Sequence, residues 1–144
     1  MKFLFALFIL LAGNTALLKA QAPNRVLLMD GKILLNSPAD NGTDTIRIKK
    51  ARLKKAKTFV ISFENHPRSI WKRVTWLQNE NKKSRETNTY NLPAPNGTVT
   101  IPATVLRNLS IRKKVVEIWT SLQPANDMLM VREQTELIYK IVID

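Results

Sequence analysis

The sequence contains no cysteine, a single histidine and only four glycines among its 144 residues. The missing cysteines exclude disulfides, thiol catalysis and thiolate metal sites. Neither a glycine-rich phosphate loop nor a Gly-x-Ser-x-Gly nucleophile motif occurs. The chain therefore offers little of the side-chain chemistry on which enzymes and metal sites depend. We predict no catalytic activity, no metal and no cofactor.

One pair of residues provides an alternative to that prediction. Glu64 and His66 are two positions apart, which places both on one side of a strand end. A small hydrolase or metal site built on this pair needs further groups that the spacing of the sequence does not indicate. A histidine in an exposed turn is the more common arrangement, so we expect no catalytic role for either residue.

Long hydrophobic runs are scarce, and the longest lies at the N-terminus. Lys2 precedes an apolar run over residues 3–12, and small residues follow it. This pattern predicts a secretory signal peptide over residues 1–22, cleaved after Ala20 or Ala22, because the run is too short to span a bilayer. An uncleaved anchor is the alternative. We expect a secreted or periplasmic protein with no membrane span in its mature chain, and the absence of cysteine favours a bacterial exporter.

The rest of the chain, residues 23–144, consists of short β-segments separated by turn residues. Asp30-Gly31 lies between two apolar runs and predicts a hairpin, because a type I′ turn needs positive φ at both central residues. Two strong strands are predicted over residues 114–122 and 136–143. The pattern predicts a single all-β domain, an antiparallel β-sandwich of immunoglobulin-like architecture, with at most one short helix near 102–109.

The stretch 45–65 carries both the clearest strand pattern and the most basic segment. Apolar side chains alternate along its second half: Phe59, Ile61 and Phe63. One face of such a strand is wholly apolar. We predict a hairpin with arms over residues 45–53 and 57–65. The alternative for the first arm is a helix, because residues 49–57 are rich in good helix formers.

Positive charge dominates the composition, with 23 Lys and Arg against 11 Asp and Glu and a formal net charge of +12. Seven basic residues fall within residues 47–57: Arg47, Lys49, Lys50, Arg52, Lys54, Lys55 and Lys57. On a strand they form a cationic stripe that can bind a polyanion by counterion release. An acidic glycan is favoured over nucleic acid. The alternatives are a solvated face, or lysines that protect a sheet edge from aggregation.

Two of the three tryptophans complete the set of candidate site residues. Trp76 follows the apolar alternation of its strand and is predicted to lie in the core. Trp71 and Trp119 fall on the more polar faces of their strands. They are therefore candidates for an exposed aromatic surface on which sugars or bases stack. Core packing of both rings is the alternative.

These features predict an exported binding or interaction module of the cell envelope or extracellular space, without catalytic activity. The expected partner is a protein or an anionic glycan of the envelope, whose identity the sequence does not specify.

Overall fold

The computed structural model describes residues 23–39, 41–66, 71–79, 88–111, 113–124 and 133–144. The expected signal peptide, residues 1–22, lies outside the described residues. The described part is mostly β-structure, arranged in two sheets with two short helices.

The first sheet, which we call sheet A, has four antiparallel strands in the order β2-β1-β4-β7. Its strands are β1 Asn24–Met29, β2 Lys32–Pro38, β4 Thr58–Glu64 and β7 Gly97–Pro102. The predicted hairpin at Asp30-Gly31 is confirmed. It joins β1 to β2, with φ of 50° at Asp30 and 77° at Gly31. An aspartate followed by a glycine accepts these positive φ values at low cost, which fixes the first pairing of the sheet.

The second sheet, sheet B, has five strands in the order β3-β9-β8-β5-β6. Its strands are β3 Asp44–Ile48, β5 Trp71–Asn79, β6 Thr89–Leu92, β8 Val115–Pro124 and β9 Gln134–Ile143. Its neighbouring strands are antiparallel except for β3 and β9, which pair in parallel. The prediction of a wholly antiparallel fold is therefore wrong at this one pairing.

Both sheets contribute to one hydrophobic core. Leu27, Phe59 and Ile61 of sheet A join Ile118 and Ile141 of sheet B in a single cluster, and each is 0% exposed. Burying a side chain of this size contributes about 1.5–3 kcal/mol. The apolar face predicted for Phe59, Ile61 and Phe63 is thus confirmed as the inner face of sheet A.

The predicted hairpin over 45–65 is wrong, because its two arms lie in different sheets. β3 pairs with β9 in sheet B, whereas β4 pairs with β1 and β7 in sheet A. Between them the chain forms a helix, α1, Lys50–Lys55. Leu53 and Ala56 are three positions apart and both are buried, which is helical spacing. The strand alternation of the first arm therefore ends at Ile48.

A second helix, α2, spans Ala103–Ser110 and confirms the helix predicted near 102–109. Its inner face buries Ala103 and Leu106. The limit of one helix was wrong, since α1 is the other. Neither helix has the roughly 20 apolar residues needed to cross a membrane, and the described ranges contain no helix that does.

The helices lie together at one end of the sheets. The backbone N–H of Lys50 donates to the carbonyl oxygen of Asp144 at 2.7 Å, where β9 ends. The N–H of Ala103 donates to the carbonyl oxygen of Lys57 at 2.9 Å, where β4 begins. The molecule thus has a helical end and an opposite end, where a cavity opens between the sheets.

Candidate functional site

The seven basic residues predicted as a polyanion site all lie at the helical end, and all are exposed. Arg47 is in β3, Lys49 precedes α1, and Lys57 follows it. The other four are in α1: Lys50, Arg52, Lys54 and Lys55. The predicted basic strand over 47–57 is therefore corrected to a short basic helix with flanking residues, which we call the basic end.

Tertiary contacts stabilise α1, because its sequence lacks the residues that stabilise a helix N-terminus. Its N-terminus has neither a side-chain cap nor an acidic residue in the first turn, and lysines there oppose the helix dipole. Leu53 is 2% exposed and anchors the helix to the core. Arg107 of α2 donates from Nη1 to the carbonyl oxygens of Leu53 and Ala56, at 3.2 and 2.9 Å. The bond to Ala56 satisfies a carbonyl group at the helix end, and the bond to Leu53 adds to the one that this carbonyl accepts from the N–H of Ala56 at 3.3 Å.

Two carboxylates lie among these cations. Arg47 forms an exposed ion pair with Asp144 at 3.3 Å. Asp30 accepts hydrogen bonds from the backbone N–H groups of Thr58 and Lys57, at 2.9 and 2.8 Å. Those two bonds, with weaker attraction from Lys57 and Arg52, lower the pKa of Asp30 below its ordinary value of 3.8.

The other four cations, like Arg52 and Lys57, have no carboxylate in ion-pair contact within the described ranges. They are Lys49, Lys50, Lys54 and Lys55, and we call them the four-lysine surface. Lys50 and Lys54 are one helical turn apart, so their side chains project from the same side of α1. A shallow cavity of about 290 Å³ lies between Lys50, Lys54, Arg107 and Ile111. Ile111 is 79% exposed. Nothing in the sequence indicated Arg107, because its contacts span more than 50 positions.

The tryptophans differ from their predicted positions. Trp71 is 6% exposed, so its prediction as a surface residue is wrong. It shares a face of β5 with Arg73, Thr75 and Leu77, which is the inner face despite its polar residues. The alternation along β5 was assigned correctly, but its inner and outer faces were reversed.

Trp76 is buried as predicted, at 3% exposed, yet it lies on the opposite face of sheet B from the core. It pairs across the strands with Trp119, and the two rings stack with centroids 6.3 Å apart and planes 11° apart. Trp119 is partly exposed, and its Nε1–H donates to Oε2 of Glu117 at 3.0 Å. Of the two tryptophans predicted to form an aromatic surface, only Trp119 is partly exposed, and its ring is stacked on Trp76.

At the end opposite the helices, a cavity of about 380 Å³ opens between the sheets, which we call the inter-sheet cavity. Its walls come from four strands: Arg25 of β1, Phe63 of β4, Arg73 of β5 and Thr120 of β8. Glu136 of β9 completes the rim. Two arginines therefore line a cavity between the two sheets.

Arg25 is 1% exposed and has a carboxylate partner. Its Nη2 donates to Oδ2 of Asp44 at 3.1 Å and also to the carbonyl oxygen of Gly42. Its guanidinium lies 5.4 Å from the ring centroid of Tyr139. Burial raises the pKa of Tyr139 to about 12, so that ring stays neutral beneath the cation. Arg25 therefore ties β1 to β3 and is a structural residue.

Arg73 is 4% exposed, and its guanidinium stacks on the ring of Phe63 at 4.0 Å from the centroid. Nε donates to the carbonyl oxygen of Pro95 at 2.8 Å, and Nη1 donates to Oγ1 of Thr120 at 3.1 Å. Burial lowers the pKa of Arg73 to about 10, against the opposing attraction of Glu136. The side chain is still a cation at neutral pH.

The structure places both Glu64 and His66, the alternative catalytic pair, on the wall of the inter-sheet cavity. Glu64 is exposed at the end of β4 and accepts a hydrogen bond from Oγ of Ser62 at 3.3 Å. The backbone of His66 is fixed by Asn96, which accepts from its N–H at 2.8 Å. Across the described part of the chain, no group of three or more potential metal ligands comes together.

No protein-family model matches the chain, and no match to it occurs among the curated proteins or the solved structures.

Proposed function

We propose that the chain is an exported binding module of the cell envelope or extracellular space, without catalytic activity, and that its basic end binds an anionic glycan. The observation that carries the proposal is the four-lysine surface: Lys49, Lys50, Lys54 and Lys55 are exposed on and beside one short helix, and no described carboxylate pairs with them. A polymer that carries negative charges at regular intervals can contact several of these closely spaced cations at once.

The chemistry of this surface favours a glycan over nucleic acid. Proteins that bind single-stranded nucleic acid combine basic side chains with aromatic rings on which the bases stack. Residues 44–57 and 103–111, which form the basic end and the helix beside it, contain no aromatic residue. Lysine also acts as a hydrated point charge, which suits sulfate or carboxylate groups in variable positions.

The proposed architecture is immunoglobulin-like. The strand order β9-β8-β5-β6 with β4 and β7 in the opposite sheet supports it, because an immunoglobulin sandwich places strands G, F, C and C′ opposite B and E. Helix α2, between β7 and β8, takes the place of the connection between strands E and F. The β1–β2 hairpin, which extends sheet A beyond β4, is a departure from that scheme.

Export rests on the sequence pattern of residues 1–22. The protein recovered from a bacterial periplasm should begin at Gln21 or Pro23, as read by mass spectrometry, and an intact N-terminus would contradict the proposal.

Binding to heparin across a salt series tests the basic end. We expect log K to fall steeply and linearly with log salt concentration, because the lysines release counterions from the polymer. Changing the four lysines to glutamine should reduce the slope by on the order of three units, if each contact contributes about 0.7–0.9 as it does on nucleic acids. Isothermal titration at five salt concentrations measures both slopes.

Two control variants make this test specific. The same four positions changed to arginine keep the charge and the helix propensity, so the slope should persist. Lys72→Gln with Lys140→Gln removes two charges from sheet B, outside the four-lysine surface, and should leave the slope nearly unchanged. If both glutamine variants lose slope in proportion to charge alone, net charge is responsible and the proposed surface is wrong.

A protein partner on a sheet edge is the second candidate. Strand β2 is an edge of sheet A, and Ile33 on it is 64% exposed. Edge strands accept an added strand from a partner through backbone hydrogen bonds. Such binding would survive moderate salt, whereas glycan binding would not, so the same salt series separates the two candidates.

A further inference from the structure

Arg73 has unused hydrogen-bonding capacity inside the inter-sheet cavity. A guanidinium carries five N–H donors. Pro95 and Thr120 accept two of them. Within the part of the chain that the structure describes, the other three make no hydrogen bond, and no carboxylate forms an ion pair with Arg73. The unused donors belong to Nη1 and Nη2, which together form the end of the guanidinium that binds a carboxylate with two hydrogen bonds.

A largely buried cation in this condition is costly, because burial removes much of its hydration while Glu136 attracts it without forming an ion-pair contact. Arg25 shows the usual solution in the same cavity, where Asp44 lies 3.1 Å from its guanidinium. Arg73 is almost as deeply buried, at 4% against 1% exposed, and lacks such a partner among the described residues. A bound anion would supply the ion-pair partner that Arg73 lacks.

The cavity has the dimensions of a small-molecule site. Its volume of about 380 Å³ lies within the roughly 300–1,000 Å³ range of such sites. Phe63 holds the guanidinium from one side by stacking, and Thr120 and Pro95 hold it by hydrogen bonds. These contacts fix the orientation of Arg73 before any ligand arrives, which lowers the entropic cost of binding.

The rim of the cavity limits which anion fits. Glu64 and Glu136 line it and are exposed. Their charges repel a ligand that is anionic throughout, such as a phosphate ester or a sulfated polymer. They attract a ligand whose outer part carries hydroxyl or ammonium donors. Gln134 and Thr135 add further polar groups at the same rim.

We propose that the inter-sheet cavity binds a small carboxylate, held by Arg73 through two hydrogen bonds, whose other end presents hydrogen-bond donors to Glu64 and Glu136. Uronic acids and amino acids share this chemistry. The site is independent of the basic end, which lies at the opposite end of the molecule.

NMR titration of the purified protein tests the proposal, with galacturonate, glutamate and glucose as probes. The Nε–H signal of Arg73, assigned through its backbone, should shift and saturate with galacturonate or with glutamate, whichever source is correct. Glucose lacks the carboxylate and should leave the signal in place. Saturation below about 10 mM is expected for one carboxylate site of this size.

Variants separate this site from other cations. Arg73→Lys keeps the charge but loses the paired donors, so it should weaken binding at least tenfold while thermal unfolding shows a folded protein. The variant with glutamine at all four positions of the four-lysine surface should bind the carboxylate as the unchanged protein does. Arg73→Lys should likewise keep the heparin slope, so each site can fail without the other.

Three results would overturn the proposal: no saturable shift of Arg73 with either carboxylate, an equal shift with glucose, or undiminished binding in Arg73→Lys. Should Arg73→Lys fail to fold, Glu64→Gln with Glu136→Gln replaces it. Without the two rim charges, the ratio of the affinities for galacturonate and for glutamate, which carries an ammonium group, should change. An unchanged ratio would contradict the proposed orientation.

Discussion

Arg73 shows how one residue can be misjudged when only the alternation of a strand is known. Along β5, Arg73 and Thr75 alternate with Val74 and Trp76, so the polar pair suggests the outer face. In the structure that pair faces inward, and Thr120 and the Phe63 ring receive the guanidinium. Alternation determines which residues share a face, but only the neighbouring sheet determines which face is buried.

Asp30 is a residue whose role follows from both sequence and structure. It occupies the first position of the hairpin turn, with positive φ, and its carboxylate accepts two backbone hydrogen bonds from the start of β4. The turn therefore also joins the β1–β2 hairpin to the neighbouring strand β4.

Asp30→Asn should make the stability of the protein less dependent on pH. The pKa of Asp30 is lowered in the folded state, mainly by its hydrogen bonds to Thr58 and Lys57. Its stabilising contribution is therefore fully present above the unfolded value, near 3.8, and is lost as pH falls through the folded value. The unchanged protein should be the more stable at neutral pH, and the difference should shrink towards about pH 2.

Melting temperatures of both proteins between about pH 2 and pH 7 measure this effect. Asparagine tolerates positive φ as aspartate does, so the turn itself is kept. Glu64→Gln removes one carboxylate from an exposed position at the far end of β4, which is the same change in net charge, and serves as the control. A difference that stayed constant across the range would show that Asp30 acts without its charge.

At the scale of secondary structure, the sequence was most informative where contacts are local. The turn at Asp30-Gly31, strand β4 and helix α2 are each specified by neighbouring residues, and all three were predicted. The β3–β9 pairing brings together residues more than 90 positions apart, in a parallel register that no turn specifies. The hairpin predicted over 45–65 failed for this reason: a local pairing was expected where a distant one forms.

Helix α1 shows the same limit for the candidate site. Composition identified the seven basic residues of the basic end but not their conformation, since lysines and arginines are good helix formers and also occur on edge strands. The deciding contacts are distant. Leu53 packs into the core, and Arg107 binds the carbonyl oxygens at the end of α1. The inter-sheet cavity was missed because its lining comes from strands far apart in sequence.

Arg107→Ala should loosen α1 more than it loosens the rest of the fold. Arg107 donates to carbonyl oxygens of Leu53, Lys54 and Ala56, and its charge also suits a helix C-terminus. We expect a loss of roughly 1–2 kcal/mol, measured by urea unfolding. The amides of Leu53 and Ala56, which donate within α1, should exchange with deuterium faster.

Arg107→Lys is the matched control, because it keeps the charge but not the shared donor geometry, and its effect should be intermediate. Equal exchange rates for Leu53 and Ala56 in all three proteins would show that the core alone holds α1.

The whole molecule combines two distinct ends with one core. The basic end presents lysines on and beside a helix, with no ion-pair partner among the described residues, and the inter-sheet cavity presents a buried arginine between strands. Both are positioned by the same two sheets, whose inner faces form a single hydrophobic cluster. We therefore expect the sheets to unfold together, as one cooperative domain, although the two candidate sites act separately.

Leu27→Ala tests this cooperativity, because Leu27 is in sheet A whereas Trp71, Trp76 and Trp119 are all in sheet B. Leu27 is 0% exposed in the shared core, so its truncation should cost about 2–5 kcal/mol. If the core is shared, the urea midpoint measured by tryptophan fluorescence should fall together with the midpoint measured by circular dichroism. Leu28→Ala, on the opposite face of the same strand, should cost less than half as much. A fluorescence midpoint that did not move in Leu27→Ala would mean that sheet B keeps its structure without sheet A, and the single domain proposed for residues 23–144 would have to be divided.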